Sequence, residues 1–357
     1  MIRTGRERTM DKDLFAGKGF HLRAVCLLLL FLLCLTGCGE HAETQPRKIR
    51  IGVTLYDQYD TFISELMMHF NEQAALQQEN ITLEILNAAK SQQTQNRQVQ
   101  KLIEDGCDVI CVNLVDRTSP TKIIDMAKKN SVPVIFFNRE LVEEDLLRWD
   151  RLYYVGADAF ESGILEGQIA AERCNTDPSV DRNGDGSIQY IVLEGEVGHQ
   201  DAIVRTEYCV NTLLDQGVPL EKLGYVLANW NRMQAQTQVS QMVSEYGEAI
   251  EMILSNNDDM ALGAIDAYKN AEIPEERRPI IVGIDGTEPG LRAVKQGEMI
   301  GTVYNDGRGQ AEAMFALCLS VAGGTELQDY ELIDGKYIRL PYQKITPENV
   351  DRFRREE

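Results

Sequence analysis

The sequence lacks three features that would point to particular classes of protein. It has no excess of positive charge, because 36 Lys and Arg residues stand against 56 Asp and Glu residues, a formal net charge of −20. So acidic a chain is a poor partner for nucleic acid or for an anionic membrane surface. Its longest apolar run falls well short of the roughly 20 residues that a membrane-spanning helix needs. It also has no tandem repeat or low-complexity tract, which argues against a solenoid.

Cysteine is present, but its spacing shows no metal-binding pattern. Five of the eight cysteines follow residue 38, namely Cys107, Cys111, Cys174, Cys209 and Cys318. Cys107 and Cys111 are predicted on one strand, about 13 Å apart along it, which is too far for a disulfide. We therefore expect these cysteines to be small buried apolar side chains.

The first 37 residues have the organisation of an export signal. Six basic residues precede an apolar run of 12 residues, 24–35, which fits the hydrophobic region of a secretory signal. The next residues, Leu35-Thr36-Gly37-Cys38, resemble the lipobox of bacterial lipoproteins. That resemblance implies a signal peptide over residues 1–37, a lipid on Cys38, and a tether over residues 38–47. We expect the mature protein to lie outside the cytoplasm, in contact with the membrane through this lipid.

From residue 48 onward, apolar strands alternate with amphipathic helices in two successive series. Strands are predicted at 48–55, 82–87, 109–114, 134–137 and 153–156, and then at 190–195, 224–228, 252–255 and 279–285. This alternation is typical of parallel sheets that are covered by helices on both faces. About 320 residues remain after the signal, more than one typical core holds, so we expect two domains.

Polar and aromatic residues follow many of these strands. They are Asp60, Phe62, Asn138, His199, Asp201, Trp230, Asn257, Asp258, Asp285 and Asn305. Ligands of open parallel sheets lie beyond the carboxyl ends of the strands. An Asp or Asn in such a position is, taken alone, more often a helix N-cap. Two lobes that present such edges to one cleft nevertheless form a clamshell, which favours a binding function.

Nine stretches of the chain carry a resemblance to one known family. They are IGVTLYDQYDTF from Ile51, NLVD from Asn113, VPVIFFN from Val132, YYVGADAFESG from Tyr153, DRNGDGSIQ from Asp181, LEGEVGHQDAIVRT from Leu193, SNND from Ser255, VGIDG from Val282 and GTVYND from Gly301. Together they resemble the bacterial galactose/glucose-binding protein family, over nearly all of residues 48–355. Composition alone does not indicate this family.

The resemblance implies a two-lobed α/β fold, the type I periplasmic-binding-protein clamshell, with a parallel sheet in each lobe. Three hinge crossovers are expected near residues 156–158, 305–307 and 341–344. The N-terminal lobe would then comprise residues 48–156 and 307–341. The C-terminal lobe would comprise residues 157–306 and 342–357.

The resemblance also implies a sugar site. Its ten residues are Asp60, Phe62, Asn138, His199, Asp201, Arg205, Trp230, Asn257, Asp285 and Asn305. Phe62 and Trp230 would stack on the two faces of a pyranose ring, Asp60 would accept from its 4-hydroxyl, and the other seven would bind further oxygens. Gln58 and Tyr59 depart from the family's first loop, so we expect them to alter the rim of the site.

A loop beginning at Asp181 fits the first nine positions of an EF-hand, but Val192 stands where the twelfth-position Glu should be. A turn rich in Asp, Asn and Gly is the alternative. The resemblance supplies the missing acid from Glu251. The predicted calcium ligands are therefore Asp181, Asn183, Asp185, Ser187 (carbonyl), Gln189 and Glu251. Calcium is expected to be structural and remote from the sugar.

The function that follows is capture of an aldohexose, D-galactose or D-glucose, by hinge closure and delivery to an ABC-type permease. We expect a monomer that is not an enzyme. A sugar sensor for chemotaxis or for a histidine kinase is the alternative. A glycosidase using Asp60, Asp201 and Asp285 is disfavoured, because two aromatics with many neutral partners suit retention better than cleavage. A repressor is disfavoured because a signal peptide occupies the place of its DNA-binding segment.

Overall fold

The computed structural model describes residues 48–354. The predicted signal peptide, the lipidation site Cys38 and the tether lie outside these described residues, as do residues 355–357. Across residues 48–354, no helix combines the length and the apolarity needed to cross a bilayer.

The first lobe is built on a six-stranded sheet. Its strands are β1 (Ile49–Leu55), β2 (Ile81–Asn87), β3 (Val109–Val112), β4 (Val134–Phe137), β5 (Leu152–Gly156) and β11 (Tyr337–Arg339). They pair in the order β11-β5-β4-β3-β1-β2, and all neighbours are parallel. The helices that flank it are α1 (Thr61–Leu76), α2 (Gln92–Glu104), α3 (Thr121–Asn130), α4 (Glu143–Leu146) and α10 (Gly307–Gly323).

The second lobe repeats this plan. Its strands are β6 (Ile188–Glu194), β7 (Leu220–Leu227), β8 (Met252–Ser255), β9 (Ile280–Asp285), β10 (Gly301–Tyr304) and β12 (Gln343–Ile345), in the order β12-β10-β9-β8-β6-β7. Its helices are α5 (Ala159–Thr176), α6 (Gln200–Asp215), α7 (Arg232–Tyr246), α8 (Asp258–Asn270) and α9 (Glu288–Lys295). Strand β12 runs antiparallel to β10 at the edge, and the other neighbours are parallel.

Central strands are apolar throughout because helices cover both faces of each sheet. All four residues of β3 are buried. Val109 and Cys111 pack into the core that includes residues of α1 and α10, whereas Ile110 and Val112 pack into the core on the opposite face. This alternation follows from the two-residue period of a strand. The two sheets and their helices match the predicted α/β architecture.

The chain crosses between the two sheets three times. It leaves the first sheet after β5, returns after β10, and passes from β11 to β12 near its end. The second segment of the first lobe is therefore α10 and β11, which pack against elements more than 150 residues earlier. The chain can leave a lobe and come back because each lobe keeps its own sheet, which helices cover on both faces.

The five cysteines of the described chain are all free thiols. Cys107 is buried but precedes β3, which corrects its predicted place within that strand. Cys174 is partly exposed, and the others are buried. The Sγ atoms of Cys111 and Cys318 lie 3.3 Å apart between β3 and α10. The prediction of small buried side chains therefore holds for all but Cys174.

One carboxyl group is buried within the second lobe. Glu166 lies on α5 with no exposed surface, and its Oε1 accepts from the Ser255 backbone N–H at 3.1 Å. Burial raises the pKa of Glu166 to about 8. A carboxyl whose pKa is higher in the folded than in the unfolded state destabilises the fold once it must ionise.

We therefore expect Glu166→Gln to gain stability relative to the wild type as pH rises from about 5 to 8. The free energy of unfolding of the variant should rise by about 3 kcal/mol relative to the wild type, because each unit of pKa shift is worth about 1.4 kcal/mol. The full value is not expected, since the protein around the ionised carboxylate can rearrange. Urea unfolding at the two pH values measures it. Glu172→Gln, on the exposed face of the same helix, is the control and should leave the pH dependence unchanged. If the free energy of unfolding depended on pH equally in Glu166→Gln and the wild type, Glu166 would not be a buried carboxyl with a raised pKa.

Candidate functional site

The carboxyl ends of strands from both lobes border one cleft. Its volume is about 350 Å³ including the open mouth, at the small end of the ~300–1,000 Å³ range of ligand pockets. The residues that line it are Tyr56, Asp60, Phe62, Asn138, Arg139, His199, Asp201, Arg205, Trp230, Asn257 and Asp285. Each ends or follows a strand or lies in the first turns of the next helix, as the rule for parallel sheets requires.

Nine of the ten predicted sugar-site residues line this cleft. Asn305 does not, because it lies behind Asp285: its Nδ2 is 3.5 Å from Asp285 Oδ1. The Asn305 Oδ1 accepts from Gln310 Nε2 at 2.6 Å. The structure therefore places Asn305 where it orients Asp285, rather than in the lining itself.

Two lining residues were missed by sequence reasoning, Tyr56 and Arg139. Tyr56 directly follows β1, and Arg139 directly follows Asn138 at the end of β4. The positional rule that selected Asn138 applies equally to both. A search for all polar residues within two positions of a predicted strand end would have found them.

Gln58 and Tyr59 do not line the cleft, although both were expected to shape its rim. Tyr59 is 81 % exposed. Both border a separate surface groove with Met67 and Met68 of α1. An effect of these two residues on solute selectivity is therefore not supported by their position.

The two aromatic residues come from opposite lobes. Phe62 lies in the first turn of α1 and Trp230 precedes α7, and they are 7 % and 9 % exposed. Trp230 has a φ of 61°, a strained value for a bulky residue. The backbone at Gly195 permits this placement, since a Cβ there would lie 2.1 Å from the indole ring. A strained, tightly accommodated aromatic at a cleft is typical of a functional residue.

Several lining residues also cap helices. Asp60 Oδ1 accepts from the Ile63 N–H that begins α1, and Asn257 Oδ1 accepts from the Met260 N–H that begins α8. The second oxygen of Asp60 accepts from the Tyr56 hydroxyl at 2.5 Å. A carboxylate oxygen has more than one lone pair, so capping does not exhaust its capacity to accept. The cap fixes the side chain's direction and leaves it able to bind a solute.

Arg205 provides the positive charge of the second lobe's wall. It is 4 % exposed, donates to Asn256 O at 2.7 Å, and lies 3.8 Å from Asp201 and 3.9 Å from Asp285. Burial raises the pKa of Asp285 well above its usual value, although Arg205 opposes this. The guanidinium is therefore the countercharge for two acids in the wall of the cleft.

His199 caps α6 through its Nδ1, which accepts from the Asp201 backbone N–H at 3.2 Å. In the neutral ring the proton must then reside on Nε2. Burial lowers the pKa of His199 to about 4, so this tautomer persists through neutral pH. Neither the His199 Nε2 nor the Trp230 Nε1 has a partner among residues 48–354. Both residues line the cleft, so these two N–H groups are available to donate to a polar solute there.

Comparison with known proteins agrees with this geometry. The sequence profile of the periplasmic binding protein domain matches residues 51–326, more than half of the chain. The chain belongs to this periplasmic binding protein family. Its members bind solutes and do not transform them, so the prediction of a receptor rather than an enzyme is confirmed.

Two relatives of this periplasmic binding protein are a galactoside-binding protein and a xylitol-binding protein. A D-galactose/methyl-galactoside binding periplasmic protein of Haemophilus influenzae is 35 % identical over 308 residues, 85 % of this chain and 91 % of the relative. A xylitol-binding protein of Mycolicibacterium smegmatis is 32 % identical over 318 residues, 88 % of this chain and 82 % of the relative. The predicted relation to galactose-binding proteins is thus confirmed.

A solved structure confirms the fold. An ABC transporter solute binding protein of Bacillus halodurans, with bound myo-inositol, superposes with a TM-score of 0.73 at 27 % identity, covering 87 % of this chain and 98 % of that one. The type I two-lobed architecture is therefore confirmed. This periplasmic binding protein is an extracytoplasmic sugar-binding component of an ABC-type transporter.

The predicted calcium residues lie close together: residues 181–187 form the loop before β6, Gln189 lies on β6, and Glu251 directly precedes β8. Asp181 accepts from the Gly184 and Gly186 N–H groups, and Glu251 accepts from the Arg182 and Gln189 N–H groups. Glu251 therefore does reach the loop from a position 62 residues after Gln189. Its approach agrees with the predicted replacement of the missing twelfth ligand.

The donor chemistry of this loop fits a hard cation only in part. Asp185 Oδ2 accepts from the amide groups of Asn183 and Gln189, and an amide flip would turn their oxygens inward. Asp, Glu, amide and carbonyl oxygens are the ligands that calcium prefers. Among residues 48–354, however, no three His, Cys, Asp or Glu side chains are arranged as a metal site. Calcium binding stays a prediction.

Proposed function

We propose that this protein captures one neutral aldohexose, D-galactose or D-glucose, by closing its two lobes over the sugar. The observation that carries the proposal is the pairing of Phe62 and Trp230, one from each lobe, around a cleft with buried unpartnered donors. Sugars need aromatic surface for their C–H faces and dense planar donors and acceptors for their hydroxyls. The galactoside-binding relative supports this solute over others.

The roles follow from the chemistry of each side chain. Asp60, Asp201 and Asp285 accept from hydroxyl groups, and a charged acceptor strengthens such bonds. His199 Nε2 and the Asn138 and Asn257 amides donate to sugar oxygens. Arg205 donates and also neutralises Asp201 and Asp285. The cleft lining has more acidic than basic residues. An anionic sugar would be repelled, and we therefore propose a neutral solute.

The competing solutes are polyols and pentoses, since relatives of this chain bind xylitol and myo-inositol. Titration calorimetry with D-galactose, D-glucose, D-ribose, xylitol and myo-inositol distinguishes them. We expect the tightest binding for one of the two aldohexoses. Binding of xylitol or myo-inositol with no measurable aldohexose binding at millimolar concentration would overturn the proposal.

We further propose that Cys38 carries the lipid that anchors the protein, and that the closed form docks on an ABC-type permease. A role as sensor for a chemoreceptor or a histidine kinase is the alternative. Radioactive palmitate should label the wild type, and Cys38→Ala should abolish the label. Loss of sugar uptake on deletion would support transport, and loss of a sugar response with normal uptake would support sensing.

A structural calcium in the loop of Asp181 to Gln189 is the last part of the proposal. Excess calcium should raise the melting temperature by about 5–10 °C over chelator-treated protein, because a ligand that binds only the folded state stabilises it by mass action. Glu251→Gln should remove most of this calcium-dependent shift. Sugar affinity should change by less than about threefold, because the loop lies apart from the cleft lining.

For each variant, calorimetry measures the melting temperature in calcium and in chelator, and the difference between the two is compared. This is needed because Glu251 also accepts from backbone N–H groups of the loop, so its replacement can lower the melting temperature without calcium. Glu248→Gln is the control, because Glu248 lies on the surface of the same lobe and pairs with Arg277. It should keep the full shift. A wild-type melting temperature that calcium does not move would contradict the site.

A further inference from the structure

Arg139 and Glu196 meet across the cleft. Arg139 follows β4 in the first lobe and is 4 % exposed, and Glu196 follows β6 in the second lobe. The Arg139 Nη1 donates to Glu196 Oε2 at 2.9 Å. The pair joins residues of different lobes, so it exists only while the lobes are together.

Arg139 is also bound to its own lobe. Its guanidinium carbon lies 3.5 Å from the centroid of the Tyr56 ring, and its Nη1 also donates to Val115 O at 3.2 Å. A guanidinium stacked on an aromatic ring is attracted by the ring's negative face. These contacts hold the charge at the mouth of the cleft whether or not Glu196 approaches.

Tyr56 links this contact to the proposed sugar residue Asp60. Its hydroxyl donates to Asp60 Oδ2 at 2.5 Å, while Asp60 Oδ1 caps α1. A continuous series of contacts thus runs from Glu196 through Arg139 and Tyr56 to Asp60. One end of it forms on closure, and the other end is a proposed acceptor of a sugar hydroxyl.

Two other hydrogen bonds between the lobes each have only one charged partner. Thr61 Oγ1 donates to Asp259 Oδ2 at 2.7 Å, and Arg117 donates to Gln200. Both connect helix or loop residues that are not in the cleft lining. Arg139 and Glu196 combine opposite charges and partial burial, and Arg139 lines the cleft, so this pair is the contact most suited to stabilise closure over a solute.

We propose that Arg139 and Glu196 form a latch that stabilises the closed form, with Arg139 positioned for it by Tyr56 at the edge of the sugar site. The proposal rests on the proposed function and names residues that regulate the same site. Contacts made only in the closed form shift the open–closed equilibrium by their own free energy. The latch therefore slows release of the solute more than it speeds capture, since differences between related complexes lie mostly in dissociation.

The test is a double-mutant cycle on sugar dissociation, measured by stopped-flow fluorescence with the tightest ligand of the calorimetry panel. Arg139→Gln and Glu196→Gln should each raise the dissociation rate about tenfold, and association should change by less than about threefold. The double variant should resemble either single variant, because both remove one interaction. Arg139→Lys should lie between, since it keeps the charge and loses the stacked plane.

Glu298→Gln is the matched control. Glu298 pairs with Lys269 within the second lobe, and its side chain is 22 % exposed against 26 % for Glu196. It should leave both rates unchanged. An unchanged dissociation rate in Glu196→Gln, or multiplication of the two single effects in the double variant, would overturn the latch.

Small-angle X-ray scattering separates failure of the latch from failure of the proposed sugar. Without any solute, Glu196→Gln should have a larger radius of gyration than the wild type and Glu298→Gln. If no aldohexose binds, this comparison still tests the latch. Identical radii for all three proteins, together with unchanged dissociation of whichever solute binds, would refute it.

Discussion

Replacing Trp230 with alanine is expected to weaken aldohexose binding at least about 100-fold. Only 9 % of the Trp230 surface is exposed, so a solute that stacks on the ring buries little additional area. The loss comes instead from the contacts of the ring face with the solute, which a cavity would replace. Truncation of a tryptophan that anchors a binding site typically costs about 2–4 kcal/mol, and about 3 kcal/mol corresponds to more than 100-fold in the dissociation constant.

Calorimetry measures the effect, and the chain offers a matched control. Trp149 is the only other tryptophan, and it lies in the first lobe beside Arg151, outside the cleft lining. Trp149→Ala should bind the sugar with wild-type affinity. The fluorescence change on sugar addition should persist in Trp149→Phe and disappear in Trp230→Phe. An affinity loss of less than tenfold in Trp230→Ala would show that the ring does not stack on the solute.

Much of the fold could be predicted from the sequence because parallel strands buried on both faces are continuous apolar runs. The run at 109–114 marks β3, and its residues do pack alternately into two cores. The end of β3 was predicted two residues too late, since Asn113 and Leu114 are buried although they follow the strand. Burial alone therefore does not define a strand boundary, because the loops at the cleft are also enclosed.

The site could be predicted where a residue's position along a strand determines its place in space. Asn138 and Asn257 were found in this way, since every parallel strand ends at the same edge. The alternative interpretation, in which such residues only cap helices, describes one of two roles that a single residue can have. Asn257 caps α8 and lines the cleft at once, because the edge of a sheet is also where the next helix begins.

Other features of the site depend on contacts that no sequence pattern specifies. The contact of Asn305 with Asp285 depends on the pairing of β10 with β9, which brings together residues 20 positions apart. The meeting of Arg139 with Glu196 depends on two lobes that are connected only through crossovers. The free N–H of the His199 ring depends on which ring nitrogen caps α6, a local contact with Asp201. The other two features depend on the relative placement of distant segments.

The second large effect is expected at Arg205. Arg205→Met should abolish measurable sugar binding and lower the free energy of unfolding by about 3 kcal/mol at pH 8. The reason is that removal of one partner leaves buried charges uncompensated. Asp201 and Asp285 lie 3.8 and 3.9 Å from the guanidinium. Arg232→Met is the control, because Arg232 pairs with Asp266 at the surface, where such a pair contributes about 0–1 kcal/mol.

The pH dependence of that loss distinguishes lost charge compensation from lost packing. Burial already raises the pKa of Asp285, and without Arg205 the carboxyl should take up a proton more readily. A raised folded-state pKa destabilises the fold as pH rises, so the deficit of Arg205→Met should be larger at pH 8 than at pH 5. Adding Asp285→Asn should recover stability at pH 8 without restoring binding, because the amide needs no countercharge whereas the sugar still lacks the donors of Arg205. Urea unfolding of both variants at the two pH values measures this, and a deficit that is equal at both pH values would indicate packing instead.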